Sequence, residues 1–199
     1  MEDETWTYEL YGKSHEGRVS VLLEDGETPK PVYVTSMSGG DARRVTHWAV
    51  YDGAKFHGPK AAALRATCSC GWEGETHTLD WEGFGDKPFY EAGSSIADKC
   101  ELEWDQHTSQ VGTTTAPLPT AITERLEELE REVEKLVRES PVAGLKAVHV
   151  LQVRAAALGH NAARAAASQP VEDVAAGLGM NGKETKALMA RLGGWSLYR

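Results

Sequence analysis

The chain has 199 residues, of which 41 % are hydrophobic and 26 % charged, with a formal net charge of −9. That is ordinary globular composition, enough for a real core in one large domain or two small ones, and no run approaches the roughly 18 apolar residues of a membrane span. The N-terminus MEDETWTYEL is acidic where a secretory signal is basic then apolar, so a cytoplasmic, bacterial protein is expected, and the negative balance excludes one that coats nucleic acid or anionic membrane indiscriminately.

From Trp6 to Leu79 the pattern is strand-like. The stretches TWTYELYG, RVSVLLEDG, KPVYVTS, VTHWAVYDG, AALRATCSC and ETHTLDW alternate apolar with polar residues and stop at Gly, Pro or Asp-Gly turns. They predict an antiparallel β unit of about five or six short strands, with SMSGGD at 36–41 as a loop. After the Gly/Pro-rich EGFGDKPFY, the period becomes helical: Ile96, Ala97, Cys100, Trp104 and His107 share one face, which predicts a helix docked on the sheet. The domain boundaries expected are a β-rich zinc-binding domain at 1–110, a linker at 111–119 and a helical domain at 120–199.

The chemistry in the first domain starts at ATCSCGW. Three cysteines cannot all pair, and a bridge from Cys68 to Cys70 would close a strained ring. On a strand, the period of two points both sulfurs to one face, and the glycines after them let the chain turn, so both thiolates can reach one ion. Zinc takes four S or N donors at roughly 2.0 to 2.3 Å. The bland alternative is a pair of buried structural cysteines; a redox pair is disfavoured because Cys-x-Cys lacks the helix N-terminus that activates redox thiols. His107 is the natural distal donor from the helix. For the fourth place His47 is preferred, on a strand that a hairpin through YDGAKFHG would lay beside the cysteine strand, with His77 on the returning strand as the alternative; strand register decides between them. Cys100 lies on the face of His107 but seven residues away, about 10.5 Å along a helix, so it reads as a small core residue. His15 and His57 fall in turns and read as solvated. A closed set of four protein donors would be structural, stapling helix to sheet.

In the helical domain, Ile122, Leu126, Leu129, Val133 and Leu136 recur at spacings of four and three, an a/d seam that reads as the core face of a bundle helix, with dimerisation as the sharper alternative since two heptads are short for a coiled coil. A second helix starts at Ser140-Pro141 and is rich in alanine. At 169–192 lies a helix-turn-helix pattern: Gln169 and Pro170 open one helix, Ala175 is small at the crossing, Gly179 turns, and Asn181 with Glu184 caps a second helix facing inward at Leu188, Met189 and Leu192. Thr185 stands where a β-branched apolar residue is usual. Residues 1–140 hold 14 Lys+Arg against 27 Asp+Glu, whereas 141–199 hold 7 against 3, so the tail is the part able to approach DNA. Asn181, Lys183, Lys186 and Arg191 are its candidate contacts, cations to phosphate or guanine and asparagine to adenine. The same pattern also packs a three-helix core with no DNA role.

HWAVYDG, LRATCSCGWEG, the Trp104/His107 pair, PLP before the heptad helix and the final ARLGGWSLYR together resemble a group of uncharacterised proteins of high-GC Gram-positive bacteria, over about residues 45–199. In that group a Cys-x-Cys-Gly-Trp unit precedes a helical end similar to the DNA-binding helices of sigma factors. The resemblance implies Cys68, Cys70, His47 and His107 as a ligand set, with Cys100 particular to this chain, and implies no activity. The final helices depart from the group in Gly182 and in their alanine-rich approach.

The expectation is therefore an α+β protein: an antiparallel β unit with a zinc knuckle and one docked helix, then an all-α helix-turn-helix domain. The function expected is DNA-binding or transcription-associated regulation with structural zinc, against a non-catalytic interaction or scaffold role. No HExxH, nucleophile elbow, P-loop or dinucleotide fingerprint occurs, so no enzyme is expected. The partners expected are duplex DNA and a protein partner or second copy at the 122–136 seam, with no membrane and no small-molecule substrate.

Overall fold

The structure, a computed structural model, describes residues 4–34, 43–54 and 57–194. It is an α+β chain with an N-terminal β region and a helical C-terminal region, in two compact units, Met1–Gly112 and Thr113–Arg199. The loop expected at 36–41 lies outside the described residues. Among those described, no helix is long and apolar enough to cross a membrane.

The N-terminal unit is built on β1 (Gly17–Leu22), β2 (Val32–Val34), β3 (Arg43–Val45), β4 (Ala63–Cys68) and β5 (His77–Thr78). β1, β4 and β5 form one antiparallel sheet in that order, and β2 pairs with β3 in another. In β4 the residues two apart, Leu64, Ala66 and Cys68, are all buried, so the first cysteine ends a row of core-facing side chains. Against this face pack Val21, Trp48, Tyr51, Leu79 and Phe89, together with the fully buried Cys100. Short helices α1 (Trp81–Phe84) and α2 (Phe89–Ala92) lead into α3 (Ser94–Thr114), whose buried stripe is Cys100, Trp104 and Thr108. α3 thus continues into the segment expected as linker.

Two expected strands take another form. TWTYELYG makes only a single bridge, Trp6 to Gly17, and then turns at Tyr8–Tyr11 into a 3-10 segment at Gly12–His15. VTHWAVYDG gives only the end of β3 before a second 3-10 turn, Trp48–Val50, that buries three apolar residues in succession, which a strand with one solvated face cannot do.

In the C-terminal unit are α4 (Thr120–Glu139), α5 (Pro141–Ala166), α6 (Val171–Leu178) and α7 (Gly182–Gly193). Ser140 alone separates α4 from α5, with Val137 pressed on Gly144 at the corner. α7 packs on α6 and on α5, where Gly159 leaves room for Leu192 and His160 Nδ1 lies 2.9 Å from the Gly193 carbonyl. α4 is not the core helix of a bundle: every residue from 120 to 132 is exposed, Ile122, Leu126 and Leu129 of the seam included, and Val133 and Leu136 are only half-buried.

The close approach of β1 to α3 depends on Gly17. A Cβ there would lie 2.5 Å from the Trp104 indole, which is also flanked by Trp6 and Tyr8 at ring separations of 5.8 and 5.7 Å. Gly17→Ala is expected to cost about 1 to 3 kcal/mol through overpacking, read as a lowered melting temperature; an unchanged melting temperature would mean that Trp104 does not hold this position.

Candidate metal centre

Four side chains from four segments of the N-terminal unit converge: His15 from the first 3-10 segment, Cys68 from the end of β4, Cys70 from the turn after it, and His107 from α3. Each offers one donor atom, and the four atoms lie within 4.8 Å of one another. His15 Nδ1 is 3.3 Å from His107 Nε2 and 3.6 Å from Cys68 Sγ, and Cys70 Sγ is 3.3 Å from His107 Nε2. Ligands placed tetrahedrally at the usual zinc distances would be separated by about 3.3 Å for N to N and about 3.5 Å for N to S. Three of the six edges match those of such a tetrahedron, and the cluster can coordinate a metal ion.

Local chemistry explains how the sequence builds it. The backbone N–H of Gly71 donates to the Cys68 carbonyl and that of Cys68 to the Trp72 carbonyl, closing a tight turn that passes through Gly71 at φ +95°, a conformation other residues adopt only under strain. Ser69, between the cysteines, clamps this turn to the 3-10 segment. Its N–H donates to the Glu16 carbonyl, its hydroxyl donates to the Lys13 carbonyl at 2.9 Å, and that hydroxyl oxygen accepts from the Glu16 N–H at 3.0 Å. The Trp72 ring stacks on His107 at 4.4 Å with the planes 6° apart, fixing the imidazole.

The electrostatics suit a cation. Burial first, then the Cys70 sulfur, push the Cys68 thiol above its ordinary range, against the pull of the Cys70 backbone N–H and the Trp104 indole. The Trp104 N–H is buried and makes no hydrogen bond of good geometry, so an ionised Cys68 sulfur is the acceptor that suits it. Burial, then the charge of His15, hold His107 below the ordinary histidine value, which keeps it in the neutral form that binds metals. A divalent ion supplies the positive charge that two adjacent thiolates need.

Of the candidate ligands, the structure brings Cys68, Cys70 and His107 together and places His15 fourth, where His47 was expected. β4 is flanked by β1 and β5, whereas β3, which leads to His47, pairs with β2, so the hairpin that would have carried His47 to the cysteines does not form. His47 instead caps the Trp48–Val50 turn, its Nδ1 accepting from the Ala49 N–H at 3.2 Å, with Nε2 3.8 Å from a Glu4 carboxylate oxygen. His77 faces Glu103 at 2.7 Å, and that carboxylate also accepts from the Glu75 N–H. Cys100 belongs to the core, its thiol pushed up to about 12 by burial and then by the charge of Glu103, so it stays protonated at neutral pH. The signal for His15 was the register: Gly17 pairs with Cys68, and continuing that ladder lays Ser69 opposite Glu16 and Cys70 opposite His15.

Protein purified without added metal is expected to hold one divalent ion per chain by elemental analysis. His15→Ala and Cys70→Ser should lose it, and His47→Ala, His77→Ala and Cys100→Ser should keep it; retention in His15→Ala with loss in His47→Ala would contradict the geometry. Because His107 titrates below 6.5, its ligating form survives neutral pH, and release by proton competition is expected as pH falls below that value, not as it rises above it.

Among the candidate DNA contacts, Asn181, Lys183, Lys186 and Arg191 are all exposed. Asn181 caps α7, its side-chain oxygen accepting from the Glu184 N–H at 2.9 Å. Thr185 is fully buried, and its hydroxyl donates to the Asn181 carbonyl at 2.9 Å, so a polar residue fits this core position without an unpaired group. Gly179, left-handed at φ +66°, ends α6 and starts the turn into α7.

Comparisons with protein-family models, with curated proteins and with solved structures found no match.

Proposed function

We propose that this protein is a DNA-binding, transcription-associated regulator whose N-terminal unit is held by a structural zinc ion. The observation that carries the DNA reading is the α6–Gly179–α7 arrangement. Two short helices are joined by a three-residue turn at 179–181, with a small residue, Ala175, buried on the first and Thr185 buried on the second. Burial of Thr185 fixes the rotation of α7 about its axis. Lys183, Lys186 and Arg191, spaced by three and five, then fall on the solvent side together with the small Ala187 and Ala190, which allow close approach to a groove. The three cations supply phosphate or guanine contacts, and Asn181 stands at the leading end of the same helix.

Zinc is the metal that suits two thiolates and two imidazoles with tetrahedral edges. Four protein donors complete its coordination and leave no position for a reacting water, so its role is architectural and not catalytic. Free thiols and a thiolate metal site fit a reducing compartment, in keeping with a cytoplasmic location.

A scaffold role without DNA has one observation in its favour, the exposed apolar stripe of α4. Duplex binding separates the two. Fluorescence anisotropy with mixed genomic fragments should show affinity that falls with salt, with a log–log slope of about −3 for three phosphate contacts. Lys183→Glu with Lys186→Glu should weaken it by about tenfold or more. No binding at about 50 mM salt, or binding indifferent to this double change, would leave the scaffold reading standing.

A further inference from the structure

α4 is a 20-residue helix with much of its apolar side exposed. Ile122 and Leu126 are 50 % and 55 % exposed, Leu129 is 39 % and Val137 is 42 %, and no residue of the helix is buried. A helix in a protein draws most of its stability from packing one face. α4 packs on α5 towards the Ser140 corner, where Val137 meets Gly144 and Val133 and Leu136 are half-buried, while the face at Ile122, Leu126 and Leu129 stays open. The apolar spacing is that of a coiled-coil seam, with Leu126 and Val133 at a and Ile122, Leu129 and Leu136 at d.

We infer that this protein forms a two-fold dimer in which α4 pairs in parallel with α4 of a second copy along Ile122, Leu126, Leu129, Val133 and Leu136. Charge and the length of the seam together choose the partner and its direction. The positions flanking the seam are Arg125, Glu132 and Glu139 at g, with Thr123, Glu130 and Val137 at e. In a parallel pair each g residue faces the e residue five positions on in the other chain, so Arg125 meets Glu130 of the second copy, twice by symmetry, and Glu132 meets the uncharged Val137. In an antiparallel pair g faces g and e faces e. The register that sets Leu126 against Leu129 brings Arg125 against Glu132 but leaves Leu136 without a seam partner, and the register that sets Leu129 against Val133 leaves out Ile122 and brings Glu132 and Glu130 each against its own copy. The parallel arrangement alone pairs all five seam residues, each with its counterpart, and does so with attraction and without like-charge contact at the flanks. Arg125 already reaches Glu128 of its own helix, but that pair is exposed and contributes little. The seam is small beside the about 800 Å² per partner of a standard interface, so the dimer is concentration-dependent.

Pairing of α4 would also supply the two-fold symmetry with which helix-turn-helix proteins engage paired half-sites. It stands without that reading, because the test measures mass and not DNA.

Sedimentation equilibrium of the full chain tests it from about 5 µM to about 500 µM, a range chosen to span the affinity of a small interface. A monomer–dimer equilibrium is expected. Leu129→Glu should abolish it, and Arg125→Glu should weaken it by about tenfold. Arg125→Glu combined with Glu130→Arg should restore it. All of these positions are exposed, and circular dichroism of each variant confirms that the helices remain. A monomer throughout, a dimer indifferent to Leu129→Glu, a higher oligomer, or no rescue by the charge exchange would overturn the inference.

Discussion

Two thiols and two imidazoles meet in one small volume, and the N-terminal unit is arranged around that meeting. Each of the four comes from a segment with little independent stability. His15 sits in a single 3-10 turn, Cys70 in a turn passing through a left-handed glycine, Cys68 at the last residue of β4, and His107 well along a helix that only partly rests on the sheet. Without a shared partner, the buried Cys68 sulfur faces its desolvation cost alone, and the two imidazoles lie within hydrogen-bond reach of each other and of the sulfurs. An ion converts that cost into bonds. The core of the unit sets small residues, Ala49, Ala61, Ala63 and Ala66, among large ones such as Trp48, Tyr51, Leu64, Phe89 and Trp104, and a metal tie would add to it.

Around the cluster the packing serves orientation. Trp72 lies flat on His107, Tyr11 meets His15 edge-on at 5.5 Å, and Trp104 closes the side beneath Cys68 while resting on the bare backbone of Gly17. Aromatic walls fix the rings and exclude water from one side of the donors, while Cys70 remains at the surface. Exposure of one thiolate leaves a path by which an ion can enter and a chelator can remove it.

Much of this was legible in the sequence, and what was not had a common cause. Cys-x-Cys before Gly-Trp, read with the strand period of two, identified two donors, and the helical recurrence from Ile96 to His107 identified a third. The fourth depended on which strands are neighbours. Sequence order favoured the strand nearest before the cysteines, which carries His47, but β1 reaches across and pairs with β4, with both flanks of β4 then taken by β1 and β5. Long-range pairing of that kind leaves no local mark, and a histidine in a turn such as GKSHEG looks solvated until the ladder beyond Gly17 is extended. In the helical half, caps at Asn181 and Gly179 were visible because capping chemistry is local. The fate of the α4 seam was not, since periodicity reports an apolar face and says nothing of what covers it.

Charge is uneven along the chain: acidic residues dominate the first 140 positions, α4 included, and the basic excess lies at 141–199 with α7. The central claim, that the four donors grip one ion as a tetrahedron, is tested most directly by X-ray absorption at the metal edge of the purified protein. The account requires a first shell of two sulfurs at about 2.3 Å and two nitrogens at about 2.0 Å. A shell of oxygen and nitrogen alone, or one with a single sulfur, would contradict it.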